Sequence, residues 1–319
     1  MKFLRDALAM LCLVGMLTSC GGHDDDDFGN LAVVAQQRGF TALLAAAEKA
    51  GISGILKAER ADVTVFAPSN AAFDTLATQL GFANATELVT ALPASDLGKI
   101  LSYHVVTGSR YASDIRTAGA TLPTTYRFEG AAVTLAVKPG SGIVVTDAAL
   151  SDSTVTAADV RADNGVIQVI DKVLVPPGVL SVVQMAQANP AAFSALVGAV
   201  VSAGLAPTLG GTGSFTVFAP VNTAFAAAPS GLSTSQLASV LAYHVLPQQV
   251  LSTAIPFGTP IPTLDVKTLD GATVPPQTIT INSDLTITDT TPVPAKILAT
   301  DVRAANGVIH VIGKVLIPR

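Results

Sequence analysis

The sequence predicts an α+β protein made of one folding unit used twice. Three observations carry that reading. Residues 64–73 read TVFAPSNAAF and residues 216–225 read TVFAPVNTAF. Residues 102–106 read SYHVV and residues 242–246 read AYHVL. Residues 159–176 (DVRADNGVIQVIDKVLVP) and residues 301–318 (DVRAANGVIHVIGKVLIP) agree at 14 of 18 positions. The blocks recur in one order, at offsets of 152, 140 and 142 residues. A solenoid repeat has a period of roughly 20–50 residues, so a unit this long is a domain. The 319 residues suit two domains of about 100–200 residues each.

In chain order, the first segment is of a different kind. Lys2 and Arg5 precede an apolar run, ALAMLCLVGML, too short to span a bilayer comfortably. Leu17-Thr18-Ser19-Cys20 then resembles a bacterial lipobox, whose cysteine is lipidated and becomes the new N-terminus. The competing readings are an ordinary secretory signal with a chance cysteine, or a short membrane anchor. The only cysteines are Cys12 and Cys20. Cys12 lies within the signal segment, residues 1–19, so no intramolecular disulfide is expected and Cys20 is the expected lipid attachment residue. Residues 20–29 read as an acidic tether. Four consecutive aspartates follow His23, and they repel one another and stay solvated. Nothing pre-organises them as metal ligands. In a Gram-negative host, Gly21 after the cysteine points to outer-membrane sorting. The expected location is the cell envelope, either the outer membrane or the cell surface and periplasm.

The first unit is expected over residues 30–177 and the second over 178–319. Each opens with two short helices. Leu31, Val34, Phe40, Leu43, Leu44 and Ala47 fall at helical spacing, as do Val182, Met185, Phe193, Leu196 and Val200. Asn189-Pro190 turns the chain into the second helix of its pair, and Gly51 and Gly204 suit left-handed caps. Thr-Val-Phe then favours a short strand, stopped by Pro68 or Pro220. Asn70 and Asn222 are the expected N-caps of the following helix. Another helix runs from Asp96 to His104 and from Thr234 to His244, after an insert around Gly81 to Leu92 that only the first unit carries.

The rest is β-rich. Val133 to Val137 and Gly142 to Thr146 flank Pro139-Gly140, with counterparts at Thr278 to Ile281 and Leu285 to Thr288. Asn164-Gly165 and Asn306-Gly307 read as hairpin turns. Val173, Leu174 and Val175 read as a central apolar strand. The sheet is expected to be mostly antiparallel, with the Thr-Val-Phe strand returning into it.

These three ordered boxes, Thr64–Phe73, Tyr103-His104 and Asn164–Pro176, then Thr216–Phe225, Tyr243-His244 and Asn306–Pro318, resemble the fasciclin-like domain. The resemblance covers residues 30–319 or so. Gln168 and Gly313 depart from the usual residues, which stand at His310 and Asp171. The resemblance implies two tandem fasciclin-like domains, each a β-wedge or compact sandwich with flanking N-terminal helices. It implies an extracellular adhesion and matrix-attachment module without enzyme activity, whose partners are proteins, glycans or matrix.

Half of the residues are apolar, 13% are charged and the net charge is −5. No Lys/Arg cluster exists to neutralise phosphates, so nucleic acid is not an expected partner. His104 and His244 lie on the apolar face of equivalent helices. Tyr103, His104, Tyr243 and His244 are candidate binding residues if the pair faces a ligand. If it does not, each His is a buried one satisfied by backbone or a nearby carboxylate. Asp159 with Arg161, and Asp301 with Arg303, read as pairs ordering a loop. Asp163 has become Ala305 in the second copy, which argues against a carboxylate dyad. No nucleophile elbow, zinc motif, Cys-x-x-Cys or phosphate loop is present, so no catalytic residue, cofactor or metal is expected. The alternative function is a small hydrophobic ligand held in a domain pocket.

Overall fold

The computed structural model describes residues 28–318, apart from Arg60, residues 118–120, Pro139, Ser141 and residues 229–230, 266–267, 270–271 and 274–275. The expected signal segment, Cys20 and most of the acidic tether lie outside the described residues.

The first half begins with α1 (Leu31–Gln37), whose N-terminus is capped by the Asn30 side chain. Then come α2 (Thr41–Lys49) and α3 (Ser53–Lys57), turned at Gly51 with φ of 71°. That left-handed conformation is open to glycine at no steric cost. β1 (Val63–Pro68) enters the core, and α4 (Asn70–Gln79), α5 (Ala85–Ala91) and α6 (Ala94–Tyr103) follow. α5 is the insert read from the sequence. The remaining elements are β2 (Val105–Thr107), α7 (Ala112–Thr117), β3 (Thr121–Phe128), β4 (Ala131–Lys138), β5 (Val144–Thr146), β6 (Asp152–Ala162) and β7 (Gly165–Ile170). The strands pair antiparallel in series, and β7 runs parallel to β1. The sheet therefore closes into a seven-stranded barrel.

The second half repeats this plan with α8 (Val182–Gln187), α9 (Pro190–Ser202), α10 (Ala206–Gly210), β8 (Phe215–Pro220), α11 (Asn222–Ala226) and α12 (Thr234–Tyr243). Its strands continue as β9 (Val245–Leu246), β10 (Pro260–Pro262), β11 (Thr268–Leu269), β12 (Ala272–Thr273), β13 (Thr278–Ile281), β14 (Thr286–Thr288), β15 (Ala295–Ala304) and β16 (Gly307–Ile312). Seven of them form one sheet in the order β10-β13-β14-β15-β16-β8-β9, again with a parallel β16–β8 pair.

Every residue of β1 is buried, because helices cover one face of the strand and the barrel interior covers the other. That double burial explains the unbroken apolar Val-Phe-Ala run. Phe66 and Phe218 point into the separate sheet cores of the two halves. The helical layers of the two halves share one apolar cluster, which includes Leu43, Val175, Leu180 and Phe193.

The joint between the halves is packed. Gly178 sits at φ of 74°, and a Cβ there would lie 2.2 Å from Cε2 of Phe128. Its N–H donates to Arg303 O at 3.2 Å. The Arg303 guanidinium lies 5.1 Å from the Phe128 ring centroid and pairs with Glu129. Tyr126 Oη donates to Pro177 O at 3.0 Å, and Asn189 Nδ2 donates to the carbonyls of Ala149 and Leu150.

Three local expectations are corrected. Ser69, not Asn70, is the side-chain cap of α4. Asn70 reaches across to α2, accepting from Ala42 N and donating to Gly39 O. Asn222 likewise bonds across to α9, through Ala195 N and the carbonyls of Pro190 and Ala191. The β6–β7 turn falls at Asp163 and Asn164, one residue before the Asn-Gly pair, because Ala162 already pairs with Gly165. Gly165 answers to another constraint: a Cβ there would lie 2.2 Å from Val63 O on the parallel neighbour, and Gly307 meets Phe215 O at the same distance. Finally, residues 173–175 are buried but are not a strand.

Candidate functional site

The Tyr-His pairs sit where α6 and α12 end. His104 and His244 are the C-cap residues of these helices. None of the four side chains faces solvent: Tyr103 is 0% exposed, His104 1%, Tyr243 1% and His244 0%. His104 Nδ1 lies 2.7 Å from Ile100 O, and its Nε2 accepts from Leu174 N at 2.9 Å. Since a backbone N–H can only donate, Nε2 must be bare and Nδ1 must carry the proton. His244 repeats the arrangement with Val240 O at 2.7 Å and Leu316 N at 2.8 Å. Burial pushes both imidazoles down to about 4, against the bond to the helix carbonyl. Both rings are therefore neutral at ordinary pH. Tyr103 donates weakly to Thr134 O and meets Tyr126 edge-on, at 6.3 Å between ring centroids. Tyr243 donates to Thr278 O at 2.9 Å.

A carboxylate completes each arrangement. Asp147 accepts from Ala149 N and Ser151 N through Oδ1 and from Val175 N through Oδ2, all within 2.9 Å. Asp289 accepts from Ile317 N at 2.9 Å and from Thr291, and lies 3.2 Å from Lys314 Nζ. Burial pushes the Asp147 carboxyl up to about 7, outweighing its N–H donors and Lys172. Burial also raises Asp289, but the bonds from Thr291, Ile317 and Lys314 prevail and hold it below the usual carboxylate range. In both halves the end of the terminal box, past β7 or β16, has no strand partner, and a His and an Asp take consecutive N–H groups. This is how the second and third sequence blocks meet. The two Asp were missed from sequence. Their signal was the recurrence of Thr146-Asp147 at Thr288-Asp289, on the offset of the terminal block.

The other repeated polar residues are engaged in the same way. Asn164 Oδ1 accepts from Leu31 N, and its Nδ2 donates to the carbonyls of Leu56 and Ala58. Asn306 does so with Val182, Leu209 and Gly211. Thr64 and Thr216 bridge to Gly108 O and Gln248 O. Asp159 and Asp301 stand at φ of 61° and 60° in the bulges of β6 and β15. Their carboxylates accept from Ala112 N and Ser252 N, not from the expected arginines. Arg161 lies over the Tyr111 ring at 5.9 Å instead. Among the described residues, no group of three or more His, Cys, Asp or Glu is placed to hold a metal.

The side-chain exchange at position 168 keeps two hydrogen bonds of three. Gln168 Oε1 accepts from Asp159 N, and Nε2 donates to Arg110 O at 3.0 Å and to Asp159 Oδ1 at 2.8 Å. His310 Nδ1 accepts from Asp301 N, and Nε2 donates to Val250 O at 2.9 Å. His310 also stacks on Phe218 at 5.6 Å.

Comparison with known proteins agrees with the doubled unit. The fasciclin domain family matches residues 38–176 and 191–318. Protein sll1483 of Synechocystis sp. is 34% identical over 151 residues, 44% of this chain and 74% of its own length. Transforming growth factor-beta-induced protein ig-h3 of Oryctolagus cuniculus is 29% identical over 80% of this chain, which spans 34% of that protein. Periostin of Homo sapiens is 28% identical over 80% of this chain and 28% of its own length. The solved FAS1 domain pair from the insect cell adhesion molecule Fasciclin I aligns at 20% identity and a TM-score of 0.42, covering 89% of this chain and 97% of that one.

Proposed function

Because the chain belongs to the fasciclin domain family, we propose that it is a membrane-anchored, extracytoplasmic interaction protein that binds a protein, glycan or matrix partner through its two domains. The observation that carries this reading is that the family matches both halves, over most of the chain. The engagement of the repeated polar residues supports it. A His and an Asp hold the terminal segment of each half, and the paired Tyr is buried beside them. Recognition then falls to surface residues that differ between the halves. Exposed Val201, Val293 and Leu298 are of that kind, and none has a counterpart in the repeated boxes.

The anchor is Cys20, at the head of the acidic tether, and it places the domains at the cell envelope. Lipid chains bury CH2 groups at about 0.8 kcal/mol each, and two or more chains give stable anchoring. Among the described residues, no helix is long and apolar enough to cross a membrane. Cys20→Ala removes acyl labelling and shifts the protein to the soluble fraction; labelling that persists refutes the anchor. For adhesion, a host strain lacking the protein is compared with one expressing it, on matrix-coated and glycan-coated surfaces. Expression should raise attachment, and soluble protein beginning at Gly21 should compete it away. Equal attachment by the two strains refutes the adhesion reading.

A further inference from the structure

The two halves differ under their N-terminal helices. In the first half, α2, α3, α6, β1, β2 and Thr125 of β3 line a partly open cavity of about 110 Å³. Its walls are almost wholly apolar, with Leu43, Ala47, Leu56, Val63 and Val65 at its base. Ile55 of the five-residue helix α3 stands at its rim and is 45% exposed. In the second half a pocket of about 30 Å³ lies between α8, α9 and α10 and shares only part of this wall. There Leu196, Val200, Leu209 and Val217 occupy the positions of Leu43, Ala47, Leu56 and Val65.

The correspondence is fixed by geometry as well as by sequence. Val63 pairs with Gly165 and Phe215 pairs with Gly307, so these two residues hold one register position. Leu56 O and Leu209 O accept from the equivalent Asn164 and Asn306. Ala47 and Val200 each lie four residues before the capping glycine, Gly51 or Gly204. The first half therefore carries Ala and Val at the base where the second carries Val and Phe, while at the rim Ile55 stands where the second has Thr208. Side-chain volume is removed from the base of the cavity.

Empty space of this kind is costly to keep, since the lining atoms lose dispersion contacts. It is also too apolar to be filled well by water. Apolar cavities of about 150 Å³ stay dry and accept benzene. The sister half shows what chemistry fits, because it places a larger aliphatic and an aromatic side chain at the two positions concerned. We propose that the first domain is a binding site for a small apolar ligand, one aromatic ring or a short branched alkyl group, and that the second domain is not. Such a ligand enters beside Ile55, by displacement of α3, whose few residues offer little resistance. The polar part of a larger ligand would stay outside, because the lining has no charge to receive it.

The test uses the whole folded protein, labelled at Ile, Leu and Val methyl groups, titrated with toluene and separately with isobutanol. The expected result is saturable shifts at Ile52, Ile55, Leu56 and Val63, with Leu209 and Val217 unmoved. Ala47→Val imports the residue of the second half and should weaken binding at least tenfold, while the unfolding transition stays cooperative and its midpoint does not fall. Val63→Phe is a second variant with the same expectation. Absence of shifts up to the solubility of toluene overturns the proposal. So do equal shifts in both halves, and so does undiminished binding in both variants once each is shown to be folded. An adhesion partner that binds the same protein unchanged by toluene leaves the adhesion reading intact while this proposal stands or falls alone.

Discussion

His104 and His244 make a quantitative prediction about acid stability. Each ring is neutral in the folded chain, with its one bare nitrogen held by a backbone N–H. Protonation would set a second donor against that N–H inside the core. The folded imidazole titrates near 4, and the unfolded one near the ordinary value of about 6.5. Between these values the unfolded chain binds more protons, so stability rises with pH across this window. It is fully present above about 6.5 and lost as pH falls toward 4. At 1.36 kcal/mol per unit, each histidine accounts for about 3 kcal/mol. His104→Gln and His244→Gln remove the titration, and the Gln168/His310 exchange shows that glutamine can accept and donate like a neutral ring. Urea unfolding at pH 7 and pH 4.5 provides the readout. Each variant should lose about 2 kcal/mol less than the parent between these two pH values, since the titration is not complete at pH 4.5. In the first half, Asp147 works in the opposite sense, since its folded carboxyl is raised to about 7. Its stability contribution falls as pH rises through that range, so His104→Gln should leave the first half gaining stability on acidification. Asp289 is lowered and gives no such opposition near pH 5. A variant with the full acid sensitivity of the parent would refute the neutral, buried assignment.

Asn306→Ala leaves one N–H and two carbonyls without their partner. At about 1–3 kcal/mol for each buried orphan, the loss should be at least about 3 kcal/mol in urea unfolding. Gly178→Ala combines a strained φ, which costs about 1–3 kcal/mol, with a Cβ driven into the Phe128 ring. Its melting temperature should fall, and adding Phe128→Ala should recover part of the loss in a double-mutant cycle. Gln168→His should cost about 1–3 kcal/mol at pH 7, because the bonds to Asp159 N and Arg110 O can be kept while the one to the Asp159 carboxylate is lost.

What could be read from the sequence was what depends on neighbours along the chain. Apolar spacing located the paired helices, and the glycines at 51 and 204 marked their ends at φ of 71° and 69°. The buried Thr-Val-Phe strand and the α5 insert were legible for the same reason. What was misread depends on contacts far apart in sequence. Gly165 is fixed by the Val63 carbonyl on a parallel strand, so the local turn rule placed the β6–β7 turn one residue late. Residues 173–175 are apolar enough for a strand, but Leu174 and Val175 give their N–H groups to side chains 70 and 28 residues away. Period alone cannot distinguish a buried strand from a buried segment satisfied by side chains. Asp147 and Asp289 were legible only as a repeated pair, since a lone Thr-Asp carries no signal.

The packed joint changes what tandem domains mean for binding. Pro176-Pro177-Gly178 reads in sequence as a short linker, whose length would set the effective concentration of the second domain. In the folded chain, Gly178 is wedged against Phe128, Arg303 pairs across with Glu129, and Asn189 holds Ala149 and Leu150. Val175 and Leu180 belong to the apolar cluster that both helical layers share. Separating the halves would expose that cluster, so the joint offers little reach. For the proposed adhesion role, avidity then depends on whether the partner's sites match one fixed separation and angle. A partner with matched spacing gains from both domains, and one with flexible or mismatched spacing engages a single domain. The halves also differ, as the larger cavity in the first shows, so the proposed role is best served by two dissimilar contacts held at one geometry.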